Sequence, residues 1–387
     1  MIIFIQSSKI RNTSGTASCL FYKMIKLLNE NVIFIEYLPA ISEIKKIRDL
    51  LPGYNIICAD KNKNNKGLII STFPQLPKYG IDVSLGSLYS RFFGRLFMKA
   101  IFTIIKESLD KEQKENLVFI FHPLIYRDCR ELLNKNGKII YYILDDWADI
   151  TENKKLKKII SYYETELIKK SFCVFAVSDL LKEKYAYLNK EIVVIPNGVD
   201  ANKFIKKKYS KYLKYKDKKP IIGFVGTLGT WVDTELIIKI SKNFKNAKIV
   251  LVGRDLIGLK NLIEKEKLTN INYLGPIDHE QVPDIISIMD VCINPFNNSI
   301  TARYSSPIKV YEYLAMGKQV VTSYIDVLKR ELYNHIFIAQ SHGEFINYIS
   351  DILYKNVRKS PPDINLFSWE SRLKDIINYM KLKGILI

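Results

Sequence analysis

The feature that most restricts what this chain can fold into is a short apolar run that keeps recurring. MIIFI, NVIFIEYL, NIICA, GLIIS, NLVFIF, KIIYYIL, FCVFAVS and EIVVIP succeed one another through the first half, most of them separated by helix-like segments. Runs this apolar on both faces suit a parallel sheet covered by helices, because a sheet with one wet face alternates instead. The pattern resumes as PIIGFVG, AKIVLVG, INYLG, VCINPF and QVVTS, which read as the strands of a second, smaller parallel sheet. The expected class is therefore α/β. A chain of 387 residues is long for one core, since domains average roughly 150 residues, so two or three are expected. The first, residues 1–204, closes after the Pro-Asn-Gly turn of VVIPNGVD. The charge run KKKYSKYLKYKDKK marks a basic linker at 205–219, the second domain spans 220–367, and a terminal helix fills 368–387.

Lys and Arg outnumber Asp and Glu by 59 to 40, a formal charge of +19, which favours nucleic acid, anionic lipid or phosphorylated substrates. The charge is spread, and no nucleic-acid motif accompanies it, so nucleic acid is not an expected partner. Five scattered cysteines show no paired metal spacing and read as reduced thiols of a cytosolic protein. No apolar stretch reaches the ~18 residues of a spanning helix, and MIIFIQSS is too short for a signal peptide. Membrane contact would be peripheral. Its candidate is the stretch from Gly86 to Glu107, where Arg91, Arg95 and Lys99 fall at four-residue steps beside Phe92, Phe93, Leu96 and Phe97. That stripe suits either a helix lying on an anionic membrane or a core helix with one solvated edge.

Ligands of such sheets bind at the carboxyl ends of the strands, so the residues just past each run carry the chemistry. After the first run lies the small, polar Ser7 to Gly15, with Ser8 as a candidate acceptor contact or merely part of a turn. After NLVFIF stands His122, either a base or a structural hydrogen-bonder. After KIIYYIL stand Asp145 and Asp146. Neighbours on an extended strand end point to opposite sides, so one of the two is expected to serve as a general base, unless they cap the next helix.

In the second half, Gly226 to Gly229, Gly253 with Arg254, and Gly275 with Pro276 all follow strands. SSPIKVYEYLAMG follows the fourth. Ser306 reads as an N-cap, Pro307 as the first helical position and Gly317 as the stop, with Lys309 and Glu312 three apart on one face. A helix N-terminus reinforced by a lysine receives a phosphate well, and the carboxylate suits sugar hydroxyls. Convergence of these features at one edge of one sheet points to a pocket for a nucleotide diphosphate.

The order IPNGVD, GFVGTLGTWVDTELI, KIVLVG, NINYLGPIDHEQVPDIISIMDVCINPF, SPIKVYEYLAMGKQVV resembles the nucleotide-binding half of GT-B glycosyltransferases. It is most similar to bacterial polysaccharide enzymes of the GT4-like and glucuronosyltransferase-like kinds. The likeness is specific from about Ile195 to Val321, and the terminal FSWESRLKDIINYMKL is similar to the family's last helix, which crosses back onto the first domain. The resemblance implies two Rossmann-like domains facing across a cleft, the acceptor on the first and the sugar nucleotide on the second. No metal cofactor is implied, because this fold neutralises the leaving diphosphate with a helix dipole and cationic side chains.

Carried over residue by residue, Glu312 holds the ribose hydroxyls and Lys309 faces the diphosphate. Gly226 and Thr227 flank the phosphates, Tyr273, Leu274 and Gly275 lie near the base, and Ser305 and Ser306 open the helix. Many retaining members carry a second glutamate two turns earlier, where this chain has Tyr304. The usual Arg and Lys around the glycine loop are replaced by Thr227, Trp231 and Asp233, leaving Lys309, with Arg303 or Arg254, to stabilise the leaving group. In the glucuronosyltransferase-like members an aspartate of the first domain is the base of an inverting displacement, and Asp146 or Asp145 would take that place.

The resulting expectation is a metal-independent, inverting transfer from a UDP-sugar to a hydroxyl of a glycan or lipid-linked glycan in bacterial surface polysaccharide synthesis. It would take place in the cytoplasm or at the inner face of the membrane. The alternatives are a retaining GT4-type transferase, a sugar-nucleotide 2-epimerase, and a non-catalytic subunit that binds a sugar nucleotide or a membrane surface.

Overall fold

The computed structural model describes residues 2–6, 32–36, 67–71, 117–204, 212, 214 and 216–385. The chain forms two compact units, Met1–Val177 with Leu181–Ile195 and Leu373–Ile387, and Pro196–Arg372 with Ser178–Leu180. The division falls between Ile195 and Pro196, ahead of the basic run. Ser8, the run NIICA, the Arg91, Arg95 and Lys99 stripe, and most of 205–215 lie outside the described residues.

Among the described residues the first unit holds seven parallel strands: β1 (Ile2–Gln6), β2 (Val32–Glu36), β3 (Gly67–Ser71), β4 (Leu117–Ile120), β5 (Lys138–Ile143), β6 (Cys173–Ala176) and β7 (Val193–Val194). Their order is β3-β2-β1-β4-β5-β6-β7. Every residue of β4 and β6 is buried, as a sheet covered on both faces requires. The helix Lys154–Lys170 starts where the Asn153 side chain accepts from the Lys155 and Leu156 amides, each at 3.0 Å. It buries Ile160, Tyr163, Leu167 and Ile168 at helical spacing.

The second unit holds β8 (Ile221–Val225), β9 (Lys248–Val252), β10 (Ile271–Tyr273), β11 (Val291–Asn294), β12 (Gln319–Ser323) and β13 (Phe337–Ala339). They are parallel, in the order β10-β9-β8-β11-β12-β13. Among the described residues the sheet therefore has six strands rather than the five legible in the sequence. Phe337–Ala339 is three residues long and pairs only with β12, so its apolar signal is brief. Tyr212, inside the basic run, is buried in this unit's core, and its hydroxyl donates to Gln281 Oε1 at 3.0 Å. That part of the run is not an exposed linker.

In both sheets strand order reverses beside the first strand, at β1/β4 and at β8/β11. The loops leaving such a pair diverge and open a crevice at the carboxyl edge. The final helix, Trp369–Leu382, groups with the first unit from Leu373 onward. There Tyr379 packs edge-on against Phe175 at 5.7 Å and donates to the Glu191 carbonyl at 3.2 Å. No helix among the described residues is long and apolar enough to cross a membrane. Cys173 and Cys292 are buried free thiols.

Candidate functional site

Because β10, β9, β8 and β11 are adjacent and parallel, the residues that follow them share one edge. The loops there are tied by the Gly253 amide to the Gly275 carbonyl at 2.9 Å, the Gly226 amide to Val252 at 2.8 Å and the Leu228 amide to Arg254 at 2.8 Å. Two glycines make this closeness possible. A Cβ at Gly253 (φ +140°) would lie 1.9 Å from the Gly226 carbonyl oxygen, and one at Gly226 (φ +149°) would lie 2.6 Å from Lys309 Cε. The loop backbone after β8 is thus pressed against the stem of Lys309.

The Lys309 ammonium lies 4.5 Å from the Phe296 ring centroid and 5.2 Å from that of Phe224. Among the described residues it makes no ion pair or hydrogen bond. Its loss of water pushes the ammonium down to about pKa 8, against the opposing pull of Glu312. A cation resting on aromatic faces, with no ion pair among the described residues, is suited to an anion from outside the chain.

Lys309 and Glu312 sit on the helix Ile308–Ala315, which ends at Gly317 with φ +67°. The helix does not have the cap expected of it. The Ser306 hydroxyl accepts from the Asn197 amide at 3.1 Å, and Asn197 Nδ2 donates to the Ser306 carbonyl at 2.7 Å. Pro307 precedes the helix with no side-chain cap. The Ile308 and Lys309 amides consequently stay unpaired among the described residues, at the positive end of the helix.

Glu312 is buried, and its Oε1 meets His279 Nε2 at 3.1 Å. Tyr273 donates to the Gly253 carbonyl at 2.9 Å, while Leu274 packs against the core. Ser305 turns to the Ala302 carbonyl at 2.7 Å. Thr227, Arg254 and Arg303 are exposed, and neither arginine forms an ion pair among the described residues. The structure thus brings Gly226, Gly253, Gly275, Tyr273, Lys309 and Glu312 together and leaves both arginines at the surface. Sequence reasoning missed His279. It also missed the clamp of Tyr311 and Arg372 on Glu331 Oε2, at 2.6 and 2.7 Å, which fastens the same helix.

In the first unit the paired carboxylates part ways. Asp146 is 1% exposed, ion-paired with Lys184, and accepts from the Asp149 amide at 3.2 Å. Burial raises its pKa while Lys184 opposes. Lys184 also reaches Asp149 at 2.9 Å, and the Lys157 hydrogen bond pulls Asp149 below the usual carboxylate range. Nearby, Glu164 accepts from Tyr141 and Tyr185 at 2.7 and 2.8 Å, and burial still pushes it up to about 7. Asp145 has no side-chain hydrogen bond or ion pair among the described residues. Burial first, and the Asp146 charge second, push it up to about 7. His122 caps the helix Pro123–Asn136, its Nδ1 accepting from the Leu124 amide at 3.1 Å, and its ring lies 4.4 Å from that of Trp147. Strand ends β4 and β5 therefore gather His122, Asp145 and Asp146, with the first and last already engaged in holding the fold.

Residues 205–359 match the family model described as glycosyl transferases group 1. The matched stretch falls within the second unit. A putative teichuronic acid biosynthesis glycosyltransferase, TuaH of Bacillus subtilis (strain 168), is 25% identical over 197 residues, 48% of this chain and 50% of TuaH. The chain thus spans about half the length of the curated relative it matches. Among solved structures, sucrose-phosphate synthase from Thermosynechococcus elongatus superposes with a TM-score of 0.73 at 16% identity over 99% of both chains. Anabaena Alr3699/HepE in complex with UDP and glucose gives 0.65 at 14%, covering 98% of this chain and 99% of that one. The E. coli trehalose-6-phosphate structure bound with UDP-2-fluoro glucose gives 0.67 at 11%, over 100% and 99%. The chain shares the GT-B fold of these structures.

Proposed function

We propose that the chain transfers a sugar from a UDP-sugar to a hydroxyl of a glycan or lipid-linked glycan, with inversion and without a bound metal. The observation that carries the reading is the convergence of Gly226, Gly253, Lys309 and Glu312 at the β9, β8 and β11 strand ends, beside a strand-order reversal. Lys309 and the unpaired amides at the head of its helix take the diphosphate and stabilise the charge that builds on it as the glycosidic bond breaks. Glu312 accepts from the ribose hydroxyls. Asp145, a carboxyl with no side-chain partner among the described residues and a pKa of about 7, takes the proton of the attacking hydroxyl. The UDP-containing neighbours support the nucleotide, and the likeness to TuaH supports a surface polysaccharide as product.

The test is incubation of the full chain with UDP-sugars and lipid-linked saccharide acceptors in the presence of EDTA, with the product's anomeric configuration read by NMR. Transfer with inversion is expected. A product of retained configuration contradicts the role of Asp145, and an epimerised sugar nucleotide contradicts transfer itself.

A further inference from the structure

We infer that His279 is a positioning residue for Glu312: it fixes which carboxylate oxygen is offered to the donor's ribose and thereby sets selectivity for ribose over deoxyribose. The inference rests on the reading of Glu312 as the ribose acceptor. Glu312 is only 7% exposed, and a carboxylate held that far from water needs a donor. His279 supplies it through Nε2, 3.1 Å from Oε1. The opposite ring nitrogen, Nδ1, lies 2.8 Å from the Lys203 ammonium. An ammonium has only hydrogens to give, so Nδ1 is the acceptor, and the neutral ring carries its proton on Nε2, aimed at Glu312.

The next residue, Phe204, is buried and meets the imidazole edge-on at 5.8 Å, so one short segment sets both tautomer and ring plane. Tyr212 fastens the same turn through Gln281 at 3.0 Å. With Oε1 engaged, Oε2 has no hydrogen bond among the described residues and is left to accept from a ligand. A carboxylate oxygen oriented in this way recognises a ribose hydroxyl, and a nucleotide lacking the hydroxyl leaves that buried oxygen unpaired.

The experiment is calorimetric binding of UDP and 2′-deoxy-UDP to the full chain, as wild type, Glu312→Ala, His279→Ala, His279→Gln and Lys203→Met. The wild type is expected to prefer UDP by about tenfold or more, the loss for one hydrogen bond to a charged group. Glu312→Ala and His279→Ala should both lose most of that preference. His279→Gln, which still carries an N–H near the Nε2 position, should restore it, and Lys203→Met should reduce it by about threefold. In turnover, His279→Ala should raise the donor KM about tenfold while kcat moves less than about twofold, the signature of lost ground-state binding. A full preference in His279→Ala beside its loss in Glu312→Ala overturns the inference and leaves the Glu312 reading standing. A full preference in Glu312→Ala, or a wild type that binds no UDP, overturns both. Should His279→Ala fail to fold by circular dichroism, Lys203→Met decides, and a wild-type preference there overturns the inference.

Discussion

The two units share a strand order around their first strand but treat the charges at their strand ends in opposite ways. In the first, Asp146, Asp149, Lys157 and Lys184 satisfy one another, and Glu164 is closed in by two tyrosine hydroxyls. In the second, the strand-end cation Lys309 rests on two aromatic faces with no ion pair among the described residues. The contrast separates charges satisfied within the fold from charges that, on the proposed reading, take a ligand. It also recurs within a single pair of neighbours, since among the described residues Asp146 is ion-paired and Asp145 is not.

The sharpest way to break this comparison is Lys309→Ala. Loss of a preorganised charge on the leaving group should lower kcat/KM by about 10³-fold in a UDP-release assay, with the circular dichroism spectrum unchanged. An effect under about tenfold would place Lys309 with the structural charges. Next comes the aspartate pair. Asp145→Asn should lower kcat by about 10²-fold or more while UDP still binds. Asp146→Asn should chiefly cost stability, about 3 kcal/mol by urea unfolding, because it breaks a buried ion pair. An exchange of these two outcomes would reverse the assignment of the base.

Smaller again is Gly226→Ala, whose new methyl would press on the Lys309 stem at 2.6 Å and should weaken UDP binding several-fold in titration calorimetry.

A separate effect is on the pH dependence of stability. Asp145 titrates at about 7 when folded against an ordinary 3.8, so the folded chain keeps a proton that the unfolded chain loses. The contribution of this group therefore falls as pH rises from about 4 to 7, and Asp145→Asn should flatten that part of the curve. The Lys309 ammonium gives the opposite sign for stability, because its folded pKa of about 8 is depressed and its contribution rises as pH climbs past that value; UDP affinity, which needs the charge, should weaken over the same range.

What was legible in the sequence follows the range of the interactions. Strands buried on both faces write themselves as continuous apolar runs, so among the described residues twelve of the thirteen strands coincide with such a run, and the three-residue β13 does not. Lys309 and Glu312 are one turn apart, and a helical pattern reveals them. The contacts that assign roles are long-range. His279 reaches Glu312 across 33 positions, Lys184 reaches Asp146 across 38, and Ser306, which reads locally as a helix cap, turns to Asn197 across 109. Local spacing carries no trace of such pairings, and so Asp145 and Asp146 were indistinguishable until the fold paired one of them.

The central claim is that unpaired strand-end charge in the second unit receives a nucleotide diphosphate. The most direct test is the melting temperature of wild type, Lys309→Ala and Asp145→Asn with and without UDP. A ligand at about 100 times its Kd adds about 2.7 kcal/mol to the folded state it binds. UDP should raise the melting temperature of the wild type and of Asp145→Asn alike and leave Lys309→Ala unmoved. A Lys309→Ala variant that UDP stabilises as well as it does the wild type would contradict the account.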